Sequence, residues 1–198
     1  MDDAYADLSP PVRLAIAYAP KRFRTAFSVL LRFDARFAEI VANTSEPLIG
    51  QMKLAWWRDA MAARTHLRPK GEPMLSALFG FDQPILTGAA VALVDAWEIL
   101  VAEQHWSASA VQDFAQKRGR ALLGAYSQLC DRADLPADIM VQWAIEDLRG
   151  RFGNRVPELA QQDEVLPNAR SVRTLTILAL SVRQVSGPRL IWHALTGR

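Results

Sequence analysis

The sequence predicts an all-α fold in a single domain, and three observations carry that prediction. Apolar residues recur at spacings of three and four along most of the chain, while the alternation typical of strands is almost absent. Glycine and proline fall at the borders of the apolar segments rather than in hairpin pairs. The chain has 198 residues, 51% hydrophobic and 22% charged, which suits one domain over residues 1–198 with a sizeable core.

The first three helices are predicted from their boundary residues and their periodicity. A Ser-Pro-Pro sequence opens the first helix at residues 9–19, and a proline closes it. Residues 21–43 carry apolar side chains at helical spacing and form the second helix. The third helix covers residues 48–65, and Ser45 is its predicted N-cap.

The second half of the chain continues as helices after a charged loop at residues 68–73, which contains two prolines and a glycine. Ser107 is the predicted N-cap of the longest of these helices. The predicted helices span residues 74–79, 84–105, 107–132, 136–152, 157–162, 168–185 and 188–195. We expect helices 21–43 and 48–65 to face helices 84–105 and 136–152 across the core.

Charge and cysteine content exclude several classes of protein. The 23 Lys and Arg against 21 Asp and Glu leave a net charge of +2, too near neutral to predict a nucleic-acid partner. The single cysteine, Cys130, excludes an internal disulfide framework and a cysteine cluster for zinc. The sequence contains neither a nucleophile elbow nor a glycine-rich phosphate loop. We therefore assign no catalytic residue and no metal ligand.

The start of the chain and its apolar runs predict a cytoplasmic protein. The first residues read MDDA, which is acidic where a signal peptide is basic. The longest uncharged apolar runs, 84–94 and 174–182, are shorter than the roughly 20 residues that a spanning helix needs. Peripheral contact with an anionic membrane stays open, because three basic residues at 21–24 stand beside Phe23 and Phe27. Ordinary solvated charges explain these basic residues equally well.

The spacing of the carboxylates does not favour a magnesium site. A helix that holds Mg²⁺ against a diphosphate needs two acids four residues apart, so that both point the same way. Asp95 and Glu98 are three apart and form the acidic pair that shares a mid-helix face. Asp147 is better explained by a surface ion pair with Arg151, four residues later.

Tandem tryptophans mark the strongest local motif, PLIGQMKLAWWRDA at residues 47–60. Trp56 and Trp57 stand about 100° apart around a helix. One face of that helix carries four apolar side chains, Leu48, Met52, Ala55 and Trp56. Either both rings pack in the core and Arg58 is solvated, or the rings form the wall of an apolar pocket edged by Arg58. Residue physics alone favours packing.

This motif resembles the squalene/phytoene synthase family, which comprises head-to-head prenyltransferases of the all-α terpenoid-synthase fold. Further stretches agree in the same order: YAP at 18–20, LLRFDARFAEIV at 30–41, LVDAWE at 93–98, QWAIEDLR at 142–149 and the ending HALTGR at 193–198. The resemblance covers nearly the whole chain. It implies a single helical bundle of the terpenoid-synthase type.

The sequence departs from the family at both of the family's aspartate-rich motifs. The resemblance implies that each motif holds Mg²⁺ against a prenyl diphosphate in an apolar, water-poor pocket. Here the first motif position reads FAEIV at 37–41 and the second reads RGRFG at 149–153. The resemblance also implies a further acid soon after Glu98, where this sequence has Leu100. In losing these motifs the chain is similar to the squalene/phytoene-synthase-like assembly factor of mitochondrial respiratory complex I.

These departures predict a noncatalytic member that binds a prenyl or lipid-like small molecule or a protein partner, without a cofactor. If a pocket persists, the expected ligand-binding residues are Arg32, Arg36, Gln51, Trp57, Arg58, Asp95, Asp147 and Arg149. One alternative is an active prenyltransferase that needs Mg²⁺ and uses displaced carboxylates, namely Asp34, Glu39, Asp95, Glu98, Glu146 and Asp147. Another is a structural subunit whose former pocket is filled by Phe37, Trp57 and Phe152.

Overall fold

A computed structural model describes residues 8–131, 137–159, 173–183 and 187–196. The described residues form nine α-helices and contain no strand, so the all-α prediction is confirmed. The helices are α1 Pro10–Tyr18, α2 Arg24–Ala42, α3 Pro47–Ala62, α4 Pro73–Phe79, α5 Pro84–Val101, α6 Ala108–Leu129, α7 Ala137–Phe152, α8 Arg173–Val182 and α9 Gly187–Thr196. Short 3₁₀ turns follow α1, α3 and α7, at Lys21–Phe23, Thr65–Leu67 and Gly153–Arg155.

The two predicted serine caps had different outcomes. The Ser107 hydroxyl accepts a hydrogen bond from the backbone amide of Ala110 at 3.1 Å, so Ser107 caps α6 as expected. The prediction for Ser45 is wrong, because α3 begins at Pro47 and places Glu46 at the N-cap position. Proline at the first helical position has no amide hydrogen, and its fixed φ angle suits the start of a helix. Helix α3 therefore begins without a serine cap.

Helices α3, α5 and α6 end earlier than predicted, at Ala62, Val101 and Leu129, and the predicted helix at 157–162 is not confirmed. Helix α5 ends at Val101 rather than at residue 105, and the indole nitrogen of Trp106 donates to the carbonyl of Leu100 at 2.8 Å. This side-chain bond satisfies one of the carbonyls that a helix end leaves without a partner. The predicted helix at 157–162 is not helical over its first three residues, and its last three lie outside the described residues. The start of the predicted helix at 168–185 also lies outside them.

Helix α5 is the centre of the bundle. It packs against α2, α3, α4 and α6, and its residues Leu86, Leu93 and Trp97 are fully buried. By length and composition alone α5 could cross a membrane, but 50% of it is buried inside the protein. A mostly apolar helix that other helices surround is also typical of the core of a helical bundle. The described structure is therefore compatible with a soluble protein.

The expected arrangement across the core is confirmed in part. Helices α2 and α3 both pack on α5, as the sequence predicted. Helix α7 was expected to face α2 and α3, but it packs against α6 and α8. Helix α6 therefore lies between α7 and the helices of the first half of the chain. Its Arg118 side chain contacts both α2 and α7.

At residues 21–24, the segment considered for membrane contact, Lys21 and Arg22 are exposed and Phe23 and Arg24 are partly buried. Phe27 is fully buried in the core, which corrects the expectation that its ring stands beside these charges at the surface. The guanidinium of Arg24 donates to the carbonyl of Ala19 at 2.9 Å, and that of Arg22 lies 4.5 Å from the ring centre of Phe23. Phe27 is therefore not available for contact with lipid, whereas Phe23 is only partly buried.

Candidate functional site

Aromatic rings fill the space between α2, α3 and α5. Phe33 and Phe37 of α2 meet Trp57 of α3, with ring centres 5.5 and 6.1 Å from the indole. All three side chains are buried. Edge-to-face contacts of this kind stabilise a core beyond the area that they bury. Trp57 therefore packs in the core, as predicted, and Phe37 occupies a position where the resemblance implies an acid.

Trp56 behaves differently from its neighbour. Its ring contacts Trp57 at 5.0 Å between centres, yet the side chain remains 46% exposed. The prediction that both rings pack in the core is therefore correct only for Trp57. Leu48 and Met52 lie on the same face of α3 as Trp56 and are also exposed. That face is turned away from the core.

A buried arginine of α6 links three helices at the heart of the bundle. The Arg118 side chain is fully buried. Its Nε and Nη2 atoms donate to the two carboxylate oxygens of Asp34 on α2, at 2.9 and 2.6 Å. Nη2 also donates to Oδ2 of Asp147 on α7 at 2.6 Å. The indole of Trp97 on α5 donates to Oδ1 of Asp34 at 2.9 Å. These contacts satisfy both Asp34 oxygens.

Aromatic rings surround the same guanidinium. The Arg118 guanidinium carbon lies 4.1 Å from the ring centre of Trp143 and 5.2 Å from that of Trp97. Burial by itself lowers the pKa of Arg118, but the charges of Asp34 and Asp147 outweigh it and raise the pKa above its ordinary value. The core therefore holds a permanent cation at its centre.

Sequence reasoning missed Arg118, although the sequence contains a signal. Arg118 lies four residues after Phe114 and four before Leu122, so it falls on the apolar stripe of its helix. A charge on a buried stripe needs a buried partner of opposite charge. The chain offers Asp34, which lies on the apolar stripe of α2, but spacing alone does not join residues that are 84 positions apart.

The interpretation of Asp147 needs correction. Its predicted ion pair with Arg151 forms, with 2.9 Å between Arg151 Nε and Asp147 Oδ2. The Asp147 side chain is nevertheless only 13% exposed, so the pair is not a surface pair. Burial alone raises the pKa of Asp147, but the cations Arg118 and Arg151 outweigh it and hold the pKa below its ordinary value.

The lowered pKa of Asp147 predicts how stability depends on pH. A carboxyl with a lower pKa in the folded state stabilises the fold above its unfolded pKa of about 4, and it loses that contribution as the pH falls through the folded value. We expect Asp147→Asn to lower the free energy of unfolding at pH 7 by roughly 1–3 kcal/mol. The difference from the native chain should shrink below about pH 4.

Urea unfolding at several pH values between about 7 and 3 measures this dependence. Glu39→Gln is the control, because Glu39 pairs with Arg36 at the exposed surface and should change stability little at any pH. A constant difference between the native chain and Asp147→Asn across this range would contradict the prediction.

A second ion cluster joins α3 to α5 at the surface. The Arg58 guanidinium donates to Asp95 from Nε at 3.0 Å and to Glu98 from Nη1 at 2.7 Å. Hydrogen bonding to Glu98, above all, raises the pKa of Arg58. Arg58 is therefore paired rather than solvated, which corrects one part of the packing interpretation. The cluster borders an open groove of 660 Å³ that also contains Gln51 and Lys117.

An apolar groove lies between α2, α3 and the start of α4. Its volume is 890 Å³, within the range of small-molecule sites. Its apolar walls are Ile40, Ile49, Met52, Trp56, Trp57 and Met74. Four charged residues, Arg36, Glu39, Lys53 and Glu72, border it. Cations and carboxylates balance at this border, so the groove favours a neutral apolar ligand over a diphosphate.

The structure places the eight predicted ligand-binding residues in separate locations rather than around one cavity. Gln51, Arg58 and Asp95 line the 660 Å³ groove, and Arg36 and Trp57 line the 890 Å³ groove. Asp147 belongs to the Arg118 cluster. Arg149 pairs with Glu146 at 2.8 Å on α7, and Arg32 lies partly buried on α2.

The displaced carboxylates do not converge either. Each of them accepts hydrogen bonds from an arginine: Asp34 and Asp147 from Arg118, Asp95 and Glu98 from Arg58, Glu39 from Arg36 and Glu146 from Arg149. Among the described residues, no three His, Cys, Asp or Glu side chains are grouped so as to hold a metal ion. Phe37 and Val41 are buried apolar residues, so the first motif position offers no ligand. The described residues therefore do not fit a magnesium–diphosphate site.

Comparison with known proteins adds one match. The family model described as squalene/phytoene synthase matches residues 9–144. The match covers α1 to α6 and the first half of α7, and it ends before Arg149. No curated protein and no solved structure matches the chain in these comparisons.

Proposed function

The chain belongs to the squalene/phytoene synthase family, and from that premise we propose that it is a noncatalytic member that binds a neutral prenyl or lipid-like molecule. The observation that supports this proposal is the pairing of carboxylates with arginines. Each of the six displaced carboxylates named above is held by a guanidinium. A paired carboxylate would have to give up a cation before it could bind a metal.

Arg118 makes that exchange costly at the centre of the bundle. It is fully buried, and its charge is balanced by Asp34 and Asp147. Drawing either acid away toward a metal would break a buried, hydrogen-bonded ion pair with this guanidinium, at a cost of several kcal/mol. The arginine thus holds the acids of α2 and α7 in structural contacts.

The apolar groove between α2, α3 and α4 is the proposed ligand site. Ile49, Met52 and Trp56 expose apolar surface along one side of it. Exposed apolar side chains gathered around a cavity mark binding surfaces more often than scattered ones do. The arginine at its border, Arg36, already pairs with Glu39 at 3.0 Å, so a neutral chain suits this groove.

Titration calorimetry with farnesol and with farnesyl diphosphate, each with and without Mg²⁺, tests this proposal. We expect farnesol to bind without regard to magnesium and farnesyl diphosphate to give no product. Ile49→Glu places a charge on the groove wall and should weaken farnesol binding about tenfold or more. Leu67→Glu is the control, because Leu67 is exposed and lies outside the groove residues.

Two results would contradict the proposal. Magnesium-dependent binding with product formation would identify an active prenyltransferase that uses displaced carboxylates. The absence of binding by either compound would favour a structural subunit. The packed rings of Phe37 and Trp57 at the centre of the bundle support that second candidate, whereas Phe152 is only partly buried and contacts Trp106.

A further inference from the structure

We propose that α9 docks the protein on an anionic lipid surface by inserting Ile191, Trp192 and Leu195 into the membrane interface. These side chains are 54%, 62% and 65% exposed. At helical spacing they span about 100° of one face. They are therefore a continuous apolar strip rather than scattered exposed residues.

The opposite face of α9 is fixed to the protein. Leu190, His193 and Ala194 are buried. An imidazole nitrogen of His193, Nε2, lies 2.8 Å from the hydroxyl of Thr176 on α8. Arg173 of α8 donates to the carbonyl of Ala194 at 3.3 Å. Helix α9 is thus apolar on both faces, and α8 holds one of them while the other points outward.

The charge of this part of the chain favours an anionic partner. Residues 165–198 contain five arginines and no Asp, Glu or Lys, a formal charge of +5, whereas the rest of the chain carries −3. Arg173 is buried and Arg183 is partly buried, so among the described arginines of this part Arg189 presents its charge at the surface. Arg189 is exposed and lies on α9 at the edge of the apolar strip. A tryptophan and an arginine beside an apolar face are typical of helices that lie in a membrane interface.

Lipid fits this surface better than a second copy of the chain or a ligand groove does. Two copies meeting through α9 would bring like charges together. The exposed face of α3 also carries apolar residues, but Glu39 and Glu72 balance the cations beside it. The balanced charge gives that face no preference for an anionic surface. The proposal for α9 does not depend on the proposed ligand groove.

Co-sedimentation of the full chain with lipid vesicles tests this inference. We expect binding to vesicles of equal parts phosphatidylglycerol and phosphatidylcholine, and little binding to phosphatidylcholine alone. Raising the salt from about 0.1 to about 0.5 M should weaken the binding, since exposed charges are then screened. The double variant Trp192→Ser/Leu195→Ser should lower the partition coefficient about tenfold or more.

The matched control is Leu48→Ser/Leu67→Ser, which removes two equally exposed leucines elsewhere. It should bind vesicles like the native chain. Quenching of tryptophan fluorescence by brominated lipid gives a second readout, and Trp192→Phe should remove most of it. Far-UV circular dichroism and an unaltered urea-unfolding midpoint show that the variants remain folded.

Three outcomes would overturn the proposal. The native chain could fail to bind anionic vesicles, or Trp192→Ser/Leu195→Ser could bind them as tightly as the native chain. In the third outcome, size-exclusion chromatography would show that the native chain is a dimer and the double variant a monomer, and neither protein would bind vesicles. The exposed face of α9 would then be a contact between subunits.

Discussion

Replacing Arg118 with methionine should lower the free energy of unfolding by roughly 3–5 kcal/mol. The substitution keeps an unbranched side chain of similar reach but removes the cation between Asp34 and Asp147. The Asp34 side chain is 4% exposed, so its charge would be left in the core with only the indole of Trp97 as donor. Removing one partner of a buried ion pair costs more than the pair contributes, because the other charge stays desolvated.

Urea unfolding followed by circular dichroism measures the effect. Arg151→Met is the matched control, since Arg151 also pairs with Asp147 but its side chain is 39% exposed. We expect that control to cost roughly 0–1 kcal/mol. The double variant Arg118→Met/Asp34→Asn should regain part of the loss, because it removes the stranded charge. A cost of Arg118→Met no larger than that of Arg151→Met would show that the buried cation is not a structural centre.

Substituting alanine for Gly119 should also destabilise the fold, by roughly 1–3 kcal/mol. A Cβ atom at Gly119 would lie 2.9 Å from the carbonyl carbon of Met140 and 3.0 Å from the amide nitrogen of Val141. Both contacts are to the backbone of α7, which does not move aside as a flexible side chain does. Helices α6 and α7 would have to separate. That separation would also disturb Arg118, the adjacent residue, in its contact with Asp147.

Gly124→Ala on the same helix is the control for this prediction. No atom lies within 4 Å of a Cβ placed there. Alanine favours a helix over glycine, so this variant should raise the free energy of unfolding by roughly 0.5–1 kcal/mol. Thermal and urea unfolding of the two variants should therefore move in opposite directions. Equal effects of both would mean that helix propensity, not close packing, governs position 119.

The sequence by itself determined the class of fold, most helix boundaries and the family. Periodicity and proline or serine at helix starts are local properties, and they predicted α2, α4 and the Ser107 cap without knowledge of any distant residue. The departure from the two aspartate-rich motifs that the resemblance implies was also a prediction from the sequence, because residues 37–41 and 149–153 contain one acid between them. Local signals failed at the end of α5, which stops at Val101, and the indole of Trp106 beyond the helix donates to the carbonyl of Leu100.

Only the tertiary structure decided which side chains meet. Arg118 pairs with Asp34 across 84 residues and with Asp147 across 29, and no spacing rule joins such positions. Arg58 similarly reaches Asp95 across 37 residues. Helix α3 is apolar on more than one face, so its periodicity does not say whether Trp56 or Trp57 turns inward. Contact with Phe33 and Phe37 of α2 buries Trp57, because burial depends on which surfaces the neighbouring helices present.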